Sequence, residues 1–261
     1  MPITPLRSLL TLAICAAAGP LCADSIPVPG FSFESPTVPA SSPYATTHVD
    51  SWQKAPKPAY FDETAFGLYW DQTAGAFLDN FTGNPDPLDN RVGNQCAFIL
   101  GFPGAALFQD YNSTDWHNLP PTHAFDATYE AGKSYQLTVG LVGRSMPDGT
   151  TLGLQLYYRD DLDAMVTIGF TPVVYSAAAF PLTTHLYDYS VDVPEVQPTD
   201  AWAGKKIGIE LIEFTSGATQ SGVGYWDIDN VRLTSAPEPS SLGLLALGGL
   251  ALLRRRSRAR A

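Results

Sequence analysis

One feature constrains this chain more than any other: apolar residues recur at every second position across most of its length. In Ser134 to Gly143, Tyr135, Leu137, Val139 and Leu141 alternate with Gln136, Thr138 and Gly140. Leu152, Leu154, Leu156 and Tyr158 share one parity, as do Tyr187, Tyr189, Val191 and Val193, and Ile207, Ile209 and Leu211. A period of two means strands with one face buried. Further strands are expected near 31–35, 94–101, 105–111, 123–129, 164–170 and 223–234. Turn clusters separate them, such as Asn84-Pro85-Asp86-Pro87, Glu130-Ala131-Gly132-Lys133 and Pro147-Asp148-Gly149. No stretch between the two ends carries a helical stripe, and 36–58, rich in Pro, Ser and Thr, reads as irregular. Many short strands without a βαβ rhythm predict an all-β fold, a two-sheet antiparallel β-sandwich or jelly roll.

The two ends follow different rules. Residues 1–23 have one positive charge at Arg7, an apolar stretch from Leu9 to Ala18 and a small residue at Ala23 before Asp24. That is the pattern of a secretory signal peptide, removed by signal peptidase after export through the Sec machinery. Residues 237–261 read Pro237-Glu238-Pro239, then Ser240 and Ser241, an apolar run from Leu242 to Leu253, and Arg254-Arg255-Arg256 within a basic tail. The prolines hold the approach extended, the apolar run forms a membrane helix, and the arginines stay on the cytoplasmic side. The run is shorter than the roughly 20 residues that cross a hydrocarbon core. In this order the three parts resemble the PEP-CTERM sorting signal of Gram-negative bacteria. The resemblance implies recognition and cleavage by exosortase, a membrane-embedded transpeptidase. It also implies transient inner-membrane anchoring, a final address at the cell surface or outside it, and a link to exopolysaccharide production.

Between the ends lies one expected domain, 24–236. It retains Cys96 alone of the three cysteines, so no internal disulfide is available. Cys96 sits in an apolar run, where a buried inert thiol is expected. Nine lysines and arginines face 25 carboxylates there, a net charge near −16. Such a domain repels nucleic acid and anionic lipid.

The order of motifs inside the domain resembles the galactose-binding-like jelly rolls and related carbohydrate-binding modules. The matching segments are Phe31-Ser32-Phe33-Glu34, Tyr135 after the Gly132 turn, and Trp226-Asp227-Ile228-Asp229-Asn230-Val231. The resemblance implies a structural calcium joining the first and last strands, held here by Glu34 and Asp229. The parity of the last strand adds an independent expectation. Trp226 and Ile228 share one parity while Val231 and Leu233 share the other, so a bulge near Asp229-Asn230 is needed to bury both pairs.

Sugar rings pack on aromatic platforms, and Trp70 and Trp116, in loop-like surroundings, are the candidates; Trp226 reads as core. The acidic run Asp160-Asp161-Leu162-Asp163 reads as a solvated turn, and Asp86, Asp89 and Asn90 as a polar loop. The histidines are scattered, and no His-Glu-x-x-His, Gly-x-Ser-x-Gly or P-loop occurs. The expectation is therefore a non-enzymatic exported protein that binds extracellular polysaccharide or packs in a matrix. The alternatives are a polysaccharide-degrading lyase or hydrolase on the same scaffold and a purely structural surface protein.

Overall fold

The computed structural model of the protein describes residues 23–113, 125–215 and 224–237. The signal peptide, Trp116 and the apolar run Leu242 to Leu253 with its arginine tail lie outside these residues. Among the described residues no helix is long and apolar enough to cross a membrane.

Among the described residues twelve strands form two antiparallel sheets. They are β1 (Asp24–Ile26), β2 (Ala45–Thr46), β3 (Gln53–Lys54), β4 (Ala74–Leu78), β5 (Gln95–Leu100), β6 (Ala106–Gln109), β7 (Lys133–Arg144), β8 (Thr151–Arg159), β9 (Met165–Val174), β10 (Tyr187–Val193), β11 (Gly208–Thr215) and β12 (Tyr225–Pro237). One sheet has seven strands in the order β10-β7-β12-β5-β4-β2, with β1 also paired to β12; the other has five, β3-β6-β11-β8-β9. Leu137, Val139 and Leu141 of β7 pack in one core with Leu152, Leu154 and Leu156 of β8 and Ile209 and Leu211 of β11. Alternation thus points each strand's apolar set inward, as the period predicts.

The last strand carries the expected bulge. Against β7 its register shifts between Asp229 and Arg232. Asn230 takes a left-handed φ of +56°, which asparagine tolerates better than most side chains. The irregularity lets Trp226, Ile228, Val231 and Leu233 all reach the core. On its other edge β12 changes partner at the same place: Tyr225 to Ile228 pair with β5, and Leu233 to Ser235 with β1. The Val231 amide meets the Phe31 carbonyl at 2.9 Å in the gap between them.

Three expectations need correction. The segment 31–35 is a turn and not a strand: Phe33 has φ +54° and its amide bonds Gly30 O at 3.2 Å. Pro27 and Pro29 cut the ladder, so the sheet's N-terminal strand lies earlier, at 24–26, and Glu34 follows a turn. Of 123–129, the described part gives only an isolated bridge between Thr128 and Lys206. The segment 36–58 is irregular except for β2 and β3. One short helix, α1 (Glu63–Phe66), is capped by Asp62, whose side chain accepts from the Thr64 and Ala65 amides.

Candidate functional site

Glu34 and Asp229 grip the same four-residue turn. Glu34 Oε1 accepts the Asn94 amide at 2.8 Å and the Gln95 amide at 2.7 Å. Asp229 Oδ2 accepts the Val92 amide. Gly93, between them, has φ +85°, and a Cβ on it would stand 2.4 Å from Glu34 Oε1, so only glycine lets the carboxylate lie so close to the turn. The bonds use one oxygen of each carboxylate. Asp229 Oδ1 remains buried with no hydrogen-bond partner. Burial raises the Asp229 carboxyl to about 7; the Val92 and Asn230 amides oppose that shift, and the charge of Glu34 adds to it. A buried, unsatisfied anionic oxygen costs stability. Two carboxylates that repel each other, one with such an oxygen, fit a hard cation that prefers oxygen ligands. Among the described residues no group of three or more His, Cys, Asp or Glu could hold a metal. A cation here would therefore complete its shell with carbonyls or water.

A charged layer beside Asp229 was not legible in the sequence. Asp227 and Asp229 share a parity, and both are buried on the side of β12 away from the core. Asp227 pairs with Arg144 at 2.6 Å, and burial raises its carboxyl to about 7 against the pull of that guanidinium. Asp79 pairs with Arg91 at 3.0 Å and accepts the Leu88 amide at 2.9 Å. The 79–94 loop covers this face of the strand through these bonds. Asp89 meets His185 at 2.8 Å, and Asn90 exchanges two 2.8 Å bonds with the backbone of Leu186. The polar loop is thus a clamp. Asp160 to Asp163 form the tight β8–β9 turn, with Asp160 Oδ1 accepting the Leu162 and Ala164 amides at 2.9 Å each.

Trp70 does not form an exposed platform. It is only 7% exposed, its Nε1 donates to Ala55 O at 2.8 Å, and its ring meets Phe61 edge-on at 4.8 Å. A 3₁₀ turn, 70–73, swings the indole inward, which loop-like surroundings in sequence concealed. Trp226 is core as expected, with Nε1 on Glu213 Oε2 at 2.7 Å.

The aromatic surface lies instead on the outer face of the five-stranded sheet. With Leu152, Leu154 and Leu156 in the core, Gly153, Gln155 and Tyr157 of β8 face outward. Phe170 of β9 and Phe214 of β11 are 46% and 43% exposed, and their rings meet at 5.2 Å in a T-shaped pair. They meet over Gly153, where a Cβ would stand 2.4 Å from Phe214 and 2.6 Å from Phe170. Glycine makes the platform possible by leaving room for both rings. Next along the face, Gln155 pairs across the ladder with Glu210 of β11 and Phe170 of β9, and Glu210 with Phe108 of β6. Gln155 Oε1 accepts the Thr167 hydroxyl. The Glu210 side chain makes no hydrogen bond among the described residues, and burial alone raises its carboxyl to about 7. At the far end Asp110 Oδ2 takes the Tyr157 hydroxyl and Arg159 Nε, both at 2.7 Å.

Glu210 makes a testable mark on stability. Its folded value lies above the ordinary glutamate value of 4.5, so the stability tied to its proton is full below about pH 4.5 and is lost as pH rises through about 7. Glu210→Gln should match the wild-type chain in urea denaturation at pH 4 and exceed it at pH 8. The expected gain is on the order of 2 kcal/mol, allowing for partial exposure. Equal stability at pH 8 would show that the carboxyl is well solvated.

The PEP-CTERM protein-sorting motif matches residues 235–258, so the chain carries a C-terminal sorting signal of that kind, which implies export and exosortase processing. A Stig cyclase, Fisc, from Fischerella sp. TAU, solved in complex with (3Z)-3-(1-methyl-2-pyrrolidinylidene)-3H-indole, superposes with TM-score 0.54 at 17% identity, over 83% of this chain and 99% of that one. This chain is similar to it in fold. The CBM22-1 xylan-binding domain from Paenibacillus barcinonensis Xyn10C aligns more loosely, with TM-score 0.37 and 5% identity over 73% of this chain and 88% of that one. No curated protein matches the chain in sequence.

Proposed function

We propose that this protein is an exported, exosortase-processed surface or extracellular protein whose sandwich binds a neutral polysaccharide without turning it over. The observation that carries the reading is the Phe170–Phe214 pair over Gly153, beside the polar groups of Gln155 and Glu210. Flat rings take the C–H faces of a sugar, and a few fixed polar groups orient its hydroxyls. The accessible part of this face is its Phe170–Phe214 end; Gln155 and Tyr157, further along β8, are only 6% and 1% exposed. Its arginine, Arg159, is already engaged by Asp110 and Asp163. With a domain charge near −16, that supports a neutral ligand over an anionic one. A calcium ion on Glu34 and Asp229 is the structural cofactor in this reading.

One observation favours a second reading, a polysaccharide-degrading enzyme. Glu210 is a carboxyl raised toward neutrality among aromatic rings, as a general acid would be. Hydrolysis by the usual route needs a second carboxylate across the scissile bond. The other carboxylate on this face described above, Asp110, is committed to Tyr157 and Arg159, so binding is preferred. The mature domain on a polysaccharide panel, with products followed by mass, separates the readings. Binding with no new product is expected. Turnover of any polysaccharide would replace the proposal with an enzyme, and no binding at all with a structural surface protein.

A further inference from the structure

The aromatic face carries more apolar surface than its two rings. On β9, Phe170, Pro172 and Val174 stand opposite Gln155, Gly153 and Thr151 of β8, so all three lie on the outer side of the sheet. On β11, Ile212 stands opposite Gly153 from the other flank. Pro172 is exposed, and Val174 is 51% exposed. The hydroxyl of Thr151 is already engaged, donating to Gly149 O at 2.9 Å. The open end of the face is therefore an apolar patch across three strands, the kind of surface that marks a binding site. A ligand gains most there by burying a methyl group.

The polar groups beside the patch share one character. Glu210, Gln155 and Phe170 form one rung across β11, β8 and β9. Gln155 and Glu210 are directly opposed, which puts their Cβ atoms about 5 Å apart. Gln155 Oε1 takes the Thr167 hydroxyl, so the uncommitted end of that side chain is its amide nitrogen, a donor. Glu210 is half-buried. Phe108 of β6 flanks it on the far side, and Asp110 and Arg159, further along the face, are bound to each other and to Tyr157. Burial raises the Glu210 carboxyl to about 7, and no charged group offsets that rise. Below neutral pH it keeps its proton and is a second donor. Two donors side by side suit a carbonyl oxygen, which has two lone pairs and no hydrogen.

An acetyl group has both halves, a methyl for the patch and a carbonyl oxygen for the donors, and it carries no charge. We propose that the polysaccharide bound by this face is acetylated, with the acetyl methyl packed at the Phe170–Phe214 end and the acetyl carbonyl oxygen accepting hydrogen bonds from Gln155 and Glu210. This rests on the reading of the face as a sugar-binding surface and names the class of sugar. N-acetylated and O-acetylated sugars share the chemistry.

The test is calorimetric titration of the full chain, in mild detergent, with two matched pairs of neutral oligosaccharides. One pair is chitohexaose and cellohexaose, which differ by an acetamido group in place of a hydroxyl. The other is an acetylated glucomannan oligosaccharide before and after mild alkali, which removes ester acetyls. At pH 5.5 at least one acetylated member should bind at least tenfold more tightly than its counterpart, and the pair that shows it tells amide from ester. Glu210 loses its proton as pH rises through about 7, so the preference should shrink several-fold at pH 8.5. Glu210→Gln, a donor at both values, should keep it, and Gln155→Leu should lose most of it at either. If Gln155→Leu fails to fold, Glu210→Gln and the pH series decide. Equal affinities within both pairs would overturn the acetyl assignment and leave sugar binding standing. So would failure of both acetylated probes on a chain that binds another polysaccharide. A preference indifferent to pH and to the substitutions would overturn the roles given to Gln155 and Glu210. No binding of any sugar would remove the sugar-binding reading and this inference together.

Discussion

Calcium should raise the melting temperature of the sandwich, residues 24–237, by about 5–10 °C, and a chelator should remove the gain. The size follows from mass action: an ion at a hundred times its dissociation constant stabilises the folded state by about 2.7 kcal/mol. For a domain of this length each kcal/mol moves the midpoint by about 2–4 °C. The effect has a definite origin. Glu34 and Asp229 are anchored to one turn through Val92, Asn94 and Gln95, and Asp229 Oδ1 is buried without a partner. An ion there ties the 34 turn to the bulge of β12 in a domain without disulfides. Asp229→Asn should abolish the calcium response and, in chelator, melt above the wild-type chain, because it removes the repulsion from Glu34. Thermal melts of both chains with calcium and with chelator check this. A wild-type chain indifferent to calcium, or a variant that keeps the response, would mean that the carboxylates serve only as hydrogen-bond acceptors.

The parts of the fold that sequence made legible are those where one physical demand acts alone. In β7, β8, β10 and β11 packing of one face into the core between the sheets imposes period two, and the strands stand where it does. The β12 bulge was legible because Trp226 and Ile228 conflict in parity with Val231 and Leu233, and all four are buried. β4 was hidden. Its Ala74-Gly75-Ala76 start has little strand character because the space is crowded: a Cβ at Gly75 would lie 2.2 Å from Thr46 O and 2.8 Å from the Phe98 ring. Glu34 and Asp229 emerged from a family resemblance, but the amides of 92–95 that hold them have no side-chain signature. The Phe170–Phe214 platform joins two strands far apart in sequence and becomes visible only when register places Gly153 between them. Its one local clue was an outward-facing glycine between two inward leucines.

That platform carries the central claim, and removing it should have the largest effect on binding. Phe170 and Phe214 are substantially exposed, so truncating them takes little from the core, and the melting temperature should change by only a few degrees. The rings supply the flat surface on which a sugar packs. Aromatic side chains dominate recognition energetics, and losing one buried contact costs on the order of 1–2 kcal/mol, about tenfold in affinity. Phe170→Ala with Phe214→Ala should therefore weaken binding at least thirtyfold. Gly153→Leu, which drives a side chain between the rings, should act in the same direction while retaining both aromatics. The decisive measurement is calorimetric titration of the best polysaccharide from the panel into residues 24–237 and into the Phe170→Ala, Phe214→Ala double variant, with melting curves recorded alongside. The account predicts binding by the native domain and its loss in the double variant at nearly unchanged melting temperature. Undiminished affinity in a folded double variant would contradict it.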